Sequence, residues 1–416
     1  MKKIQYLTCG IALFSLVSCS FDTESSSADI VVDPYKINAL TIRGNGGDDI
    51  AVDNGNHGSI SGDDINAEAG TLTAGEWNDL NNWKFWQSLM QKKNFSEYQQ
   101  EWQFFPSQRY SVRITDNMGQ SVMDCRVQLL GKDNRKIWEA RTNNSGIAEL
   151  WAQPFSEGKD LKNTIVIDYK GKKQTLKSPQ TFMEGINDIK LKMTSTMPEN
   201  RADVMFVVDA TGSMEDEIAY LKKELEDVVA QVKTEQPDLA LQIGSVFYRD
   251  EGDKYVTRSS ALSANTDATI NFINGQSADG GGDYPEAVDV ALEEAVSMQN
   301  WSESARTRIV FLLLDAPPHH DSKSLKSIQK SITSAAEKGI KLIPIASSGI
   351  DKKTEFLMRF FSLTTNGSYV FMTDHSGVGN GHVEPTVGEY RVEYLNELLT
   401  RIITQSTQPA TATLLE

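Results

Sequence analysis

The sequence has very few cysteines, and this scarcity excludes a fold held together by disulfide bonds. It contains three cysteines, of which Cys9 and Cys19 lie in an apolar leader-like segment. Cys125 is left without a partner for an internal bridge and is predicted to be a small residue of the core.

Basic residues and long apolar runs are also in short supply. The 41 lysines and arginines face 57 aspartates and glutamates, which gives a formal net charge of -16. Binding to phosphate backbones depends on clustered lysine and arginine, so this balance argues against nucleic acid as a partner. Beyond the leader, no apolar run is long enough for a transmembrane helix.

Signatures of common hydrolases are missing as well. The sequence has no His-Glu-x-x-His motif, and the adjacent His319 and His320 cannot both face one metal from a regular strand. No serine lies in a nucleophile-elbow motif. We therefore predict that the protein is not an enzyme.

The most informative stretch is an unbroken apolar run over residues 204–208 that is followed by small polar residues. Such a run predicts a strand buried on both faces, as in parallel sheets. Asp209, Thr211 and Ser213 come next, and ligands of open α/β sheets bind at the carboxyl ends of strands. One carboxylate and two hydroxyls suit a hard cation, although these residue types also serve as helix caps.

Two later stretches could complete the same site. The first is the loop at 280–287, Gly-Gly-Gly-Asp-Tyr-Pro-Glu-Ala, which contains Asp283, and the second is an apolar run at 309–314 that ends in Asp315. Strand and helix patterns alternate from residue 200 onward, with helices predicted over 266–274, 322–338 and 388–404. This alternation predicts an α/β fold, a doubly wound and mostly parallel sheet with helices on both faces.

With these motifs in place, residues 200–405 resemble the von Willebrand factor A (VWA) domain family. That family has a metal-ion-dependent adhesion site written Asp-x-Ser-x-Ser, with a later Thr and a later Asp. Asp209, Thr211, Ser213 and Asp315 match motif positions, whereas Asp283 stands where the family has Thr. The resemblance implies Mg²⁺ or Mn²⁺ held by Asp209, Ser213, Asp315 and either Thr211 or Asp283, with a protein or glycan as the ligand.

The substitution at position 283 changes the expected charge of the site. Three carboxylates would carry -3 against a divalent ion, so we expect tight cation binding and repulsion of an incoming carboxylate. Two alternatives to a binding protein stay open. One is a metal-dependent phosphohydrolase, although Thr211 stands where haloacid-dehalogenase-type phosphatases need a second Asp. The other is a structural module of the cell envelope.

The start of the chain combines basic residues at 2–3 with a short apolar core at 11–17, as in a secretory signal. Leu16-Val17-Ser18-Cys19 resembles the bacterial lipobox. The resemblance implies a signal peptide at 1–18 and a lipid anchor on Cys19. Because Asp does not follow this cysteine, resemblance to Gram-negative lipoproteins implies the outer membrane. Surface exposure and oligomeric state are left open.

The remaining segments are assigned by composition. Residues 19–70 are rich in Ser, Asp, Asn and Gly and are interpreted as a flexible tether. Residues 71–105 form an aromatic-rich helical segment, either a platform for sugars or partners or a helix packed on the next domain. Short alternating strands at 106–196 resemble carboxypeptidase regulatory-like domains and predict a small all-β sandwich. A boundary near Pro198 separates them from the VWA domain at 198–408, and 409–416 is expected to be a frayed tail.

Overall fold

The computed structural model describes residues 40–42, 67–158 and 163–410. Cys19, the leader, most of the predicted tether and residues 411–416 lie outside these ranges. The strands are β1 Leu40–Ile42, β2 Thr73–Trp77, β3 Gln108–Thr115, β4 Arg126–Leu130, β5 Lys136–Arg141, β6 Ile147–Ala152, β7 Thr164–Tyr169, β8 Lys172–Lys177, β9 Asn187–Lys190, β10 Arg201–Asp209, β11 Ala240–Tyr248, β12 Thr257–Ser263, β13 Thr307–Leu314, β14 Ile340–Ala346, β15 Tyr369–Met372 and β16 Tyr390–Tyr394. The helices are α1 Trp83–Met90, α2 Lys93–Trp102, α3 Ile218–Glu235, α4 Thr266–Asn274, α5 Val288–Ser297, α6 Ser322–Lys338, α7 Lys352–Thr364 and α8 Leu395–Thr407.

A mixed sheet of nine strands forms the centre of the fold, in the order β1-β16-β2-β15-β14-β13-β10-β11-β12. The five strands from β15 to β11 are parallel to one another. The other four join by antiparallel pairing, with β12 at one edge and β2, β16 and β1 at the other. The α/β prediction is confirmed, and the antiparallel additions are what make the sheet mixed.

Helices cover both faces of this sheet because the central strands are apolar on both sides. In β10, Val204, Phe206 and Val208 pack with α3 and α8 on one face. Met205 and Val207 belong to a second core, on the opposite face, that includes α5, α6 and α7. All residues of β10 after the first are buried, as the unbroken apolar run predicts. Within the described residues, no helix combines the length and the apolar character needed to cross a bilayer.

The strands between residues 108 and 190 form two separate small sheets, β6-β3-β9 and β5-β4-β7-β8. In β7 every second side chain is buried and the others are half-buried, whereas all six residues of β6 are buried. These side chains belong to the same apolar core as α5, α6 and α7. The strand prediction for this region is therefore confirmed, and its assignment as a carboxypeptidase regulatory-like sandwich stays a prediction.

Four strands of the large sheet were not predicted from the sequence. β1 falls within the predicted tether, β2 within the predicted helical segment, and β16 occupies the first part of the predicted helix at 388–404, which is wrong there. β12 lies on the opposite edge. In β2, a Cβ on Gly75 would come within 2.6 Å of the Phe371 ring and 2.8 Å of the Tyr390 ring. Only glycine fits this position, and a central glycine weakens the apolar pattern by which strands are recognised.

The aromatic side chains of the segment at 71–105 are mostly buried. Trp86 stacks on Phe356 with ring centroids 5.8 Å apart, and Phe104 stacks on Phe360 at 4.2 Å. Both phenylalanines belong to α7, and Phe95 of α2 also contacts the Phe356 ring, with centroids 6.2 Å apart. Helices α1 and α2 therefore pack against a helix that covers the large sheet. The interpretation as a packed helix is confirmed, and the aromatics do not form an exposed platform.

Two buried carboxylates fasten this N-terminal region to the large sheet. Asp79 forms an ion pair with Arg359 of α7, and both side chains are fully buried. Glu224 of α3 accepts hydrogen bonds from the backbone N–H groups of residues 70, 71 and 72 at 2.9–3.0 Å. Whether residues 198–408 form a separate folding unit stays a prediction.

We expect Asp79→Ala to lower the free energy of unfolding by about 3 kcal/mol or more, because it leaves the Arg359 guanidinium buried without its main counterion. Guanidinium chloride denaturation followed by circular dichroism measures the change. Asp188→Ala is the matched control, since it removes an ion-pair partner of Arg113 that is 59% exposed. The control loss should stay below about 1 kcal/mol. Similar losses in both variants would contradict the assigned role of the buried pair.

Candidate metal centre

Asp209 and Asp315 lie at the same edge of the sheet because β10 and β13 are adjacent and parallel. Val208 is paired with Leu313. Asp209 is the last residue of β10, and Asp315 directly follows the last residue of β13. Asp209 is 0% exposed and Asp315 is 4% exposed. Two carboxyl groups predicted from separate stretches are thus brought together at the carboxyl ends of the central strands.

The loop after β10 adds two hydroxyl groups. Asp209 Oδ1 accepts hydrogen bonds from the Thr211 backbone N–H at 2.9 Å and from Thr211 Oγ1 at 2.7 Å. Thr211 Oγ1 lies 3.1 Å from Ser213 Oγ. Neither the short 3₁₀ turn at Gly212–Met214 nor α3 receives a side-chain hydrogen bond at its N-cap. The alternative that these residues serve as helix caps is therefore wrong.

Burial of these carboxyl groups makes their ionisation unfavourable. Burial raises the pKa of Asp209 to about 6, against the opposing effect of its hydrogen bonds from Thr211. Burial and the neighbouring Asp209 raise the pKa of Asp315 to about 7, against a hydrogen bond from Ser213. Among the described residues, Asp209 Oδ2 and Asp315 Oδ1 form no hydrogen bond of normal length and angle, although the buried Tyr248 hydroxyl lies close enough to Asp209 to lower its pKa. A cation would satisfy these oxygens and restore their charge.

The glycine-rich loop contributes a different carboxylate from the one expected. Asp283 is exposed, and no hydrogen bond or ion pair of the described residues joins it to the other predicted site residues. Its negative charge acts on His319. Glu286, three residues further on, is 3% exposed. As a metal ligand Asp283 stays a prediction, and sequence reasoning missed Glu286.

Glu286 belongs to the same electrostatic cluster as the two aspartates. Burial, followed by the charges of Asp209, Asp250, Asp315 and Asp253, raises its pKa to about 9. The motif Pro-Glu-Ala just before α5 was visible in the sequence. A glutamate in that place is common for reasons of helix dipole alone, so the pattern did not distinguish a site residue from a helix-end residue.

Arg249 holds the loops of the site together. Its Nε donates to the Ala210 carbonyl at 3.1 Å, and its Nη2 donates to the Ser277 carbonyl at 3.0 Å. Nη1 pairs with Asp279 at 3.3 Å. Arg249 thus ties three loop segments together, partly through the carboxylate of Asp279.

Three histidines lie in loops near the site, and each contacts a group other than Asp209 or Asp315. His319 Nε2 lies 2.6 Å from Asp250 Oδ1, and His320 Nε2 lies 2.6 Å from the Glu101 carbonyl. His382, in the Gly-rich loop at 374–382, lies between Asp374 at 2.7 Å and Glu217 at 3.4 Å. That loop therefore packs against the start of α3, next to the aspartates.

The donor set fits a hard divalent cation. All the groups that the structure brings together are carboxylate or hydroxyl oxygens, which Mg²⁺ and Mn²⁺ prefer. In the part of the chain that the structure describes, no three His, Cys, Asp or Glu side chains form a ready cluster for a metal ion. A metal here would depend on the Thr211 and Ser213 hydroxyls as well as on carboxylates.

We expect the protein without divalent cations to become less stable as the pH rises from about 4 to about 8. The carboxyls of Asp209 and Asp315 have higher pKa values in the folded protein than an ordinary aspartate, so folding favours their protonated forms. Their contribution is fully present below pH 4 and is lost as the pH passes through about 6 and 7. Melting temperatures measured in EDTA between about pH 4 and pH 8 give the dependence of stability on pH. Asp209→Asn should make this dependence weaker. An unchanged melting temperature would contradict these values.

Comparison with known protein families places this site in a defined domain. Residues 203–380 match the von Willebrand factor type A domain. The chain is 33% identical over 130 residues to an ariadne-like RING finger protein of Acanthamoeba polyphaga mimivirus, covering 31% of this chain and 12% of that protein. It is 27% identical over 189 residues to the alpha-protein kinase vwkA of Dictyostelium discoideum, covering 45% of this chain and 29% of the kinase. The chain therefore spans less than a third of either relative.

Solved structures show weaker similarity. BatB from Bacteroides thetaiotaomicron has 12% sequence identity and a TM-score of 0.34, covering 49% of this chain and 98% of BatB. An aerotolerance-related membrane protein from Bacteroides fragilis has 12% identity and a TM-score of 0.31, covering 50% of this chain and 98% of that protein. The fold and the family match agree on a VWA domain, a class of domain that typically mediates the binding of proteins or other ligands.

Proposed function

We propose that this protein is a cell-envelope lipoprotein whose VWA domain binds a protein or glycan ligand with the help of one divalent cation. The observation that carries the proposal is the pair of buried aspartates, each with one carboxylate oxygen that forms no hydrogen bond of normal geometry among the described residues. Buried carboxylates are costly without a compensating positive charge, and a bound cation supplies it. A ligand can then add an oxygen to the same ion.

The cation would be held by Asp209, Ser213 and Asp315, with Thr211 as a further ligand. Mg²⁺ or Mn²⁺ suits this set because it contains oxygen donors and no sulfur or imidazole. The ion supplies a positive centre that attracts a ligand oxygen. The residues of the chain fix its position, since Thr211 orients Asp209 and Arg249 holds the surrounding loops.

Isothermal titration calorimetry with Mn²⁺ tests the cation site. We expect one binding event per chain in the unmodified protein and its loss in Asp209→Ala, because that change removes the carboxylate at the centre of the set. Asp238→Ala, a surface change distant in sequence from the loops of the site, is the control and should keep the event. Equal binding by Asp209→Ala would overturn the assignment.

We further propose that the protein acts by binding and not by catalysis. His319 and His320 are engaged by Asp250 and by the Glu101 carbonyl, so neither is placed to serve as a base at the aspartates. Thr211 hydrogen-bonds to Asp209 where a phosphatase of the haloacid-dehalogenase type needs a second carboxylate. Hydrolysis of p-nitrophenyl phosphate with Mg²⁺, abolished by Asp209→Asn, would contradict this.

The proposed anchor is a lipid on Cys19, which lies outside the described residues. The lipobox-like sequence around it supports this proposal, as does the lack of another long apolar run in the sequence. In a Gram-negative host, Cys19→Ala should abolish metabolic labelling by a palmitate analogue. It should also move the protein from the membrane fraction to the soluble fraction. Retention of the variant in the membrane fraction would count against the anchor.

A further inference from the structure

Glu286 is a buried carboxylate of the site that nothing in the proposed metal set uses. Its side chain is 3% exposed, and Oε2 has no hydrogen-bond partner among the described residues. Asp209 and Asp315 have the same property, with one buried carboxylate oxygen each left without a hydrogen-bond partner of normal geometry among the described residues. Glu217 is also buried near Asp315 with Oε2 unpartnered among the described residues. Its Oε1, however, accepts from the Ser348 N–H and lies 3.4 Å from His382 Nε2. Asp209, Asp315 and Glu286 are therefore the three buried carboxyl groups of this corner that form no ion pair among the described residues.

The backbone fixes Glu286 close to Asp315. The Glu286 N–H donates to the Pro317 carbonyl at 2.9 Å, and residue 286 forms a parallel bridge with residue 318. Pro317 is two residues after Asp315, so the two carboxylates are attached to segments that hydrogen-bond to each other. The position of Glu286 is therefore set by the main chain and does not depend on a mobile side chain alone.

The glycine-rich loop fixes the other side of the carboxylate. A Cβ placed on Gly281 would lie 3.1 Å from Glu286 Oε1 and 3.2 Å from Thr211 Cβ. Gly281 also has a φ of +71°, which favours glycine. The loop thus passes between Glu286 and the Thr211 side chain at close range. Asp283 belongs to the same loop but points its charge into solvent, where water and salt screen it.

We infer that Glu286, and not Asp283, is the third negative charge of the metal site, and that it makes the site accept a neutral ligand oxygen and reject a carboxylate. This inference rests on the proposed function. Because no three acidic side chains of the described residues are arranged to hold one ion, Glu286 is a positioning and charge-setting residue beside the cation. It is not assigned as a direct ligand.

The charge balance explains the expected specificity. With Asp209, Asp315 and Glu286 ionised around a divalent cation, the centre carries a net charge of about -1, and a divalent ion favours the ionised form of nearby carboxyls. An incoming carboxylate would meet this charge in a poorly screened place and be repelled. A backbone carbonyl or a sugar hydroxyl carries no net charge and does not meet this repulsion. The partner is therefore expected to present a neutral oxygen to the metal.

Two variants of the same loop test whether Glu286 or Asp283 supplies the third negative charge of the site. Glu286→Gln and Asp283→Asn each replace one carboxylate by an amide of nearly the same shape. The concentration of free Mn²⁺, measured by electron paramagnetic resonance, gives the affinity. We expect Glu286→Gln to weaken Mn²⁺ binding by about tenfold or more, and Asp283→Asn to change it by less than about twofold, because buried charges interact more strongly than exposed ones.

Acetate tests the specificity directly. Water-proton relaxation by bound Mn²⁺ falls when acetate replaces a water on the ion. The unmodified protein and Asp283→Asn should show no change with excess acetate, whereas Glu286→Gln should show a decrease. Glu286→Asp keeps the charge and should behave like the unmodified protein, which guards against a result caused by altered packing. Circular dichroism confirms that each variant is folded.

The outcomes distinguish this inference from the proposal on which it rests. If the unmodified protein binds no Mn²⁺, both are overturned. If it binds Mn²⁺ and Asp209→Ala does not, but Glu286→Gln binds like the unmodified protein, only the role of Glu286 is overturned. If Asp283→Asn lowers the Mn²⁺ affinity more than Glu286→Gln does, the third charge is that of Asp283 and the inference is overturned. Acetate binding to the metal of the unmodified protein would overturn the specificity.

Discussion

Asp209 and Asp315 are two like charges at the ends of adjacent buried strands, where water screens them poorly. No Lys, Arg or His of the described residues forms an ion pair with either. The surrounding structure keeps them in place all the same, since Thr211 binds one oxygen of Asp209 and Arg249 ties together the loops on either side. An arrangement of this kind is unfavourable by itself and becomes favourable when a cation is bound, so the fold and the proposed function share one electrostatic origin.

The parts of this arrangement that depend on periodic patterns were predictable from the sequence. The helices α4 and α6 have the predicted bounds, because each begins at a polar cap, Asn265 or Asp321, and each is followed by a glycine. β10 and β13 were evident as apolar runs. Their parallel pairing follows from strand–helix alternation, which placed Asp209 and Asp315 at one edge before any geometry was known.

Features that depend on tertiary contact were not predictable. β2 is short and has Gly75 at its centre, and its strand conformation comes from insertion between β15 and β16. In β16, apolar and polar residues alternate over only five positions before the helical pattern of α8 begins. The sequence was therefore interpreted as one longer helix. Asp283 and Glu286 are three residues apart in one loop. Their opposite exposure is decided by the hydrogen bond of Glu286 to Pro317, which a single sequence does not reveal.

The position of β2 determines how the molecule would carry a mechanical load. A pull on the chain at residue 67 first meets the three backbone hydrogen bonds that Glu224 accepts, and then reaches a strand with a neighbour on each side. β2 can leave the sheet only if its ladders with β15 and β16 both break. Because β2 is antiparallel to β15, its first residues lie at the same edge of the sheet as Asp209 and Asp315. A domain held from its N-terminal side would thus be attached at the edge of the sheet where Asp209 and Asp315 lie, so that tension on the chain and binding at these residues would act on the same end of the central strands.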